Sequence, residues 1–227
     1  MSDATSAFVR NARWEVTRLR RSQRVWLFLI PAVAGTIGSG IADLYLHVPS
    51  IATAEVLGLL ITAGLASLVA LDLTALAVGE ELGLRTHYLT FALPQPRVSA
   101  LAGRITIVMV GVIGSYGVGV FGVQGLATAF VSAASTAPPP ILVPSHLAIG
   151  IVGMLLFLGG VTAAAAAVTR SASQALVAGV LGGVVAAGIG SLFLIEGRLT
   201  PLFPLALAVA GLAGFAWCLV RYDHMES

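Results

Sequence analysis

Two acids inside apolar runs are the first residues of this chain able to do chemistry. Asp72 lies within the hydrophobic stretch 51–78. A carboxylate at mid-bilayer costs about 2.5–3.5 kcal/mol on insertion scales, so such a residue is a functional candidate by default. It stands roughly two turns of helix from one end of the run, which leaves two readings open: a pathway-lining group, or a structural partner for an Arg at the nearby interface. Glu55 is nearer the other end and is expected to be solvated. At 1.5 Å per residue the two acids are about 25 Å apart along a helix, too far to share one ion.

Other chemistries are set aside by residue type and spacing. His47, His87, His146 and His224 fall in four separate loops or helix ends, whereas a typical metal site needs three or four convergent ligands. Ser145 and His146 are adjacent, which does not by itself define a nucleophile and its base, and no GxSxG or HExxH occurs. All twelve basic residues are Arg, so a P-loop, which needs Lys at the phosphates, cannot be built on this chain. The single cysteine, Cys218, excludes an internal disulfide and any multi-Cys metal site. The expectation is a protein that is not an enzyme and holds no cofactor or metal of its own. A net charge of +2, with the Arg residues clustered beside apolar segments, gives no case for nucleic acid.

The elements that position these residues are helices in a bilayer. With 58% hydrophobic and 10% charged residues and a mean hydropathy of +0.98, the chain is far from a soluble domain, whose charged fraction is about 25%. The fold class expected is all-α, a polytopic integral membrane protein of six spans preceded by an amphipathic interfacial helix. In residues 1–24, Phe8, Val9, Ala12, Val16 and Leu19 fall within roughly one 100° arc, and Arg10, Arg13, Arg18, Arg20 and Arg21 occupy the rest. Such a helix lies on a membrane with its cations toward anionic headgroups; an ordinary basic flank is the alternative. The spanning domain, 25–221, reads as hydrophobic segments at 25–45, 51–78, 105–131, 141–169, 172–195 and 201–220. The first contains Pro31 and a Gly/Ser-rich half. A short tail, 222–227, follows the last.

Charge asymmetry orients the bundle. The N-terminal segment, the loop 80–104, the turn at Arg170 and Arg221 just before the tail account for every Arg except Arg198. Arg-rich short loops stay in the cytoplasm, so both termini and the loop 80–104 are expected there, with Trp26 and Trp217 near the same interface. Ser171, Ala175, Gly179, Gly183, Ala187 and Ser191 recur every four residues in the fifth segment, and Gly111, Ser115 and Gly119 in the third. These small-residue stripes let helices approach closely, within the bundle rather than across a dimer seam.

The loop 80–104 is the longest break between apolar segments and carries five formal charges: Glu80, Glu81, Arg85, Arg97 and Arg104. Leu82, Tyr88, Leu89, Phe91 and Leu93 are too apolar for a solvated linker, so the loop offers a surface to a partner, or else lays these side chains in the membrane interface. Glu81, Thr86, Leu89, Leu93, Pro94 and Arg97 stand at the spacing E-x3-G-T-x7-P-x2-R. This pattern, with six spans and an N-terminal interfacial helix, resembles the permease subunits of ABC-2 type exporters, the type V ABC exporters. Arg85 departs from it where the family has glycine, with Gly83 two residues earlier.

The resemblance implies a prokaryotic plasma-membrane permease that pairs with a second permease copy, homo- or heterodimeric, and with separate ABC ATP-binding subunits that hold ATP and magnesium. It implies that the loop forms a short coupling helix docking in a groove of the ATPase. Tyr88, Leu89, Phe91 and Leu93 would supply its apolar face and Glu81 and Arg97 its register; Pro94 and Pro96 would end it. The cargo implied is amphipathic or lipid-like. Two other classes remain open: an ion-coupled secondary transporter or channel working through Asp72 and a broken first helix, and a non-transporting anchor for a cytoplasmic enzyme.

Overall fold

A computed structural model describes residues 3–45, 51–80, 97–134, 145–195 and 202–224, and among these residues there is no strand. Helix α1 (Asp3–Arg21) is followed by a 3-10 turn (Arg24–Phe28), then α2 (Leu29–Tyr45) and α3 (Ile51–Ala75), which runs on into a π-helical turn (Leu76–Glu80). After these come α4 (Arg97–Ala134), α5 (Ser145–Thr169), α6 (Ala172–Ile195) and α7 (Leu202–His224). Among the described residues six stretches are long and apolar enough to cross a membrane: Arg24–Ile41, Glu55–Gly79, Val98–Ala129, Gly150–Thr169, Ala172–Ile189 and Leu202–His224. This is the architecture of a multi-pass membrane protein.

Two boundaries differ from the sequence reading. The first spanning segment is not broken in its glycine-rich half, which is continuous helix from Leu29 to Tyr45. The break lies earlier, where Gln23 adopts a left-handed conformation (φ 58°) and Ser22 Oγ donates to the Leu19 carbonyl at 3.2 Å. Pro31 falls in the first turn of α2, where the N–H it lacks would have had no helical partner anyway. The third spanning helix begins at Arg97 rather than 105. The last eight residues of the loop 80–104 are therefore helical, since no breaker follows Pro96 until well into the span.

Helix α3 packs against α2, α4 and α5, and α5 packs in turn against α6 and α7. One core cluster joins Leu59, Ala66, Val69 and Leu73 of α3 to Val108, Val112, Val120 and Val123 of α4 and Leu155 of α5. A second joins Val78, Leu101, Ile105, Ala166, Ala175, Phe215 and Tyr222, and so ties five elements together at the end where the arginines gather. Helices α5 and α7 approach so closely that a Cβ on Gly214 would stand 2.7 Å from the Gly160 carbonyl oxygen. Only glycine permits that separation, which increases dispersion contact in a medium where apolar surface by itself gives helices no reason to associate.

The small-residue stripes serve the same purpose inside the chain. Gly179 of α6 faces Thr162 and Leu71, and Gly183 faces Leu158. In α4, Gly111 faces Phe28, Gly119 faces Thr62 and Ala32, and Ser115 Oγ donates to the Phe28 carbonyl. Ala187, at the far end of the α6 stripe, is exposed. The outer faces of α6 and α7 present Leu181, Val184, Val185, Leu205, Val209 and Leu212, an apolar surface that hydrocarbon solvates and water does not.

Candidate functional site

The loop that carries the sequence motif has two roots, and both are braced. On the incoming side the π-helical turn places Gly79 against the first residue of α6, where a Cβ would meet Ala172 Cα at 2.6 Å and its nitrogen at 2.7 Å. A widened turn of this kind repositions the residues beyond it without ending the helix, and such turns concentrate at functional places. Glu80 ends that turn and Arg97 opens α4. Glu81, Arg85, Thr86, Tyr88, Leu89, Phe91, Leu93 and Pro94, the remaining residues of the expected coupling surface, lie outside the described residues.

On the outgoing side, α1 lies across the first turns of α4. A Cβ on Gly103 would meet the Ala12 nitrogen and the Phe8 carbonyl oxygen at 3.4 Å each, so the two backbones are nearly in contact. The contact is fixed by a carboxylate. Glu15 is fully buried (0% exposed), and Arg18 donates to its Oε1 from Nε at 3.1 Å and from Nη2 at 2.7 Å. Arg104 Nε stands 3.6 Å from Oε2, with only 11% of the Arg104 side chain exposed. The Arg104 guanidinium also sits 5.1 Å from the centre of the Trp14 ring, a distance at which the ring quadrupole attracts a cation. A carboxylate held between two guanidinium groups has its charge neutralised, and this chemistry is a clamp rather than catalysis. Asn11, one turn before Glu15, adds a buried Nδ2 with no hydrogen-bond partner among the described residues.

Glu15 was not among the residues expected to matter. The apolar arc of α1 is divided: Leu19 is buried and Phe8 and Ala12 are partly so, but Val9 and Val16 are 44% and 50% exposed. The inward face is Phe8, Asn11, Ala12, Glu15 and Leu19. The sequence did carry a signal, because positions 8, 12, 15 and 19 follow the i, i+4, i+7, i+11 spacing of a single helix face.

The intramembrane acids are not brought together. Asp72 is half-buried at the margin of an outward stripe formed by Leu57, Leu60, Gly64 and Leu68, and no Arg among the described residues pairs with it. Glu55, expected to be solvated, is instead 5% exposed, and its Oε2 has no hydrogen-bond partner among the described residues. It shares a helix face with Gly58 and Thr62, and these two pack on Gly35 of α2 and on Val123 and Gly119 of α4. The close approach that these glycines allow is what excludes water there. Among the described residues no group of three His, Cys, Asp or Glu side chains could hold a metal ion.

The arginines of α1, Arg104, Arg170 and Arg221 all stand at the end of the bundle marked by the second core cluster. Arg170 and Ser171 form the two-residue connection between α5 and α6. Arg170 is left-handed (φ 53°), and its backbone N–H caps α5 by donating to the Ala166 carbonyl at 2.9 Å. Known protein families, curated proteins and solved structures were compared with the chain, and none matches it.

Proposed function

We propose that this chain is the membrane-spanning permease subunit of an ATP-driven exporter, working as a pair of permease copies with separate ATP-binding subunits. The observation that carries this reading is the bracing of the central loop: its incoming root rests on α6 through Gly79 and Ala172, and its outgoing root rests on α1 through Gly103, Glu15 and Arg104. A loop that receives force needs both supports, since a push on an unbraced segment is lost in local deformation. The chain has no P-loop of its own, so the force must come from a partner, and ATP and magnesium belong on that partner.

In this mechanism the apolar residues Tyr88, Leu89, Phe91 and Leu93 enter a groove of the ATPase, and Glu81 and Arg97 set the register. Movement of the ATPase shifts both roots together. Helix α1 follows α4 because the Glu15 clamp joins them, and α6 follows α3. The exposed Val9 and Val16 of α1 suit a helix that rides in the membrane interface while it moves.

The test is the complex reconstituted in liposomes. Glu81→Arg combined with Leu89→Asp should leave the permease folded, yet abolish both capture of the ATPase and nucleotide-dependent flux. A double variant that still bound the ATPase and transported normally would overturn the assignment.

Glu55 favours a second reading, an ion-coupled transporter without an ATPase, because a buried carboxylate with an oxygen unpartnered among the described residues is a place for a proton or a cation. On that reading the purified chain alone would carry flux down an ion gradient without nucleotide, and Glu55→Gln would stop it. On the exporter reading the chain alone moves nothing.

A further inference from the structure

A second arginine site stands apart from the Glu15 clamp, where the α5–α6 turn meets the last two turns of α7. Trp217, Val220, Arg221 and His224 follow i, i+3, i+4, i+7 spacing and so share one face of α7. With Arg170 they line a cleft of about 410 Å³. The Arg221 guanidinium lies 5.8 Å from the centre of the Trp217 ring, which holds it over the cleft. The Arg170 backbone is left-handed, at a position at the end of a helix that usually belongs to glycine. A side chain carried in a conformation that disfavours it invites the question of what the side chain binds.

Among the described residues no carboxylate lines this cleft. Asp223, the nearest acid on α7, is exposed and, two residues from Arg221, points away from the shared face. Arg170 ends the apolar run Gly150–Thr169 and Arg221 follows the apolar part of α7, so both guanidinium groups stand at headgroup level. Below them Val168, Trp217 and Val220 are exposed and apolar. Two guanidinium groups above an apolar wall suit an anion that carries apolar chains.

From this arrangement we infer that the Arg170–Arg221 cleft binds the phosphodiester of an anionic glycerophospholipid in the adjacent leaflet. The phosphate accepts hydrogen bonds from the two guanidinium groups, the glycerol backbone rests on Trp217, and the acyl chains descend past Val220 and Val168. The site is independent of whether an ATPase drives the chain.

Native mass spectrometry of the purified full chain, titrated with phosphatidylglycerol or phosphatidylcholine of identical acyl chains, tests this. Each basic residue near a membrane surface adds to the attraction of an anionic lipid, so preference for phosphatidylglycerol should be on the order of ten- to thirty-fold. Arg170→Gly, which eases the backbone while removing the guanidinium, should cut that preference about five-fold, and Arg170→Gly with Arg221→Gln should abolish it. Arg10→Gln on α1 should leave it standing. Equal retention of the two lipids, or an undiminished preference in the double variant, would overturn the proposal. So would an Arg10→Gln effect as large as that of Arg170→Gly, which would make net charge the cause. Displacement of the lipid by excess inorganic phosphate would identify a free-anion site and overturn it equally.

Discussion

At the corner between α1 and α4, Trp14, Arg18 and Arg104 surround a carboxylate that has no contact with solvent. At the corner between α7 and the α5–α6 turn, Trp217, Arg221 and Arg170 surround an open cleft that no carboxylate among the described residues lines. Both corners lie at the same end of the bundle and use the same side chains. What separates them is the counter-ion, supplied within the fold at the first and left to the surroundings at the second. Arginine at a membrane boundary therefore has two physically distinct uses. An internal acid turns it into a structural fastening, and on the lipid-binding proposal an anion from the bilayer takes the acid's place.

That contrast predicts opposite consequences for stability. Glu15→Ala removes the carboxylate that joins Arg104 of α4 to Arg18 of α1, and breaking a buried ion pair by deleting one partner costs about 3–5 kcal/mol. Amide exchange should show α1 losing two to three orders of magnitude of protection, and unchanged protection would mean that the clamp holds nothing. Arg104→Gln should cost less, about 2 kcal/mol, because Glu15 keeps Arg18; thermal melting of this variant beside Glu15→Ala and the double variant gives the coupling directly. Arg18→Gln takes both hydrogen bonds from Oε1 of a carboxylate that water does not reach, and should cost about 1–3 kcal/mol. At the other corner the sign reverses: Arg170→Gly should raise the melting temperature slightly, by relief of about 1 kcal/mol of left-handed backbone cost. A loss there as large as that from Glu15→Ala would erase the distinction between the corners.

Much of the helical framework was legible beforehand because a bilayer forces it: apolar runs of spanning length, separated by arginines and prolines, have few other uses. The stripe through Ala175, Gly179 and Gly183 was legible for a similar reason, since close packing of helices restricts residue size. The clamp was hidden because Glu15 stands in a segment crowded with Arg, where an acid reads as one more solvated charge. Its burial depends on α4 lying across α1, a long-range contact that local spacing does not announce. Glu55 misled in the same way. Proximity to the end of a span suggests water, but the near-contact of α2 and α3 at Gly35 and Gly58 removes it.

Helix α4 runs unbroken from Arg97 to Ala134, and α1 touches it at Gly103. At 1.5 Å per residue the fulcrum stands about 9 Å from one tip and about 46 Å from the other, a ratio of roughly one to five. For a rod turning as one body about that point, an ångström of travel beside the loop becomes about five ångströms at the opposite face of the membrane. Leverage of that size would let a small stroke on one side of the bilayer part helices on the other.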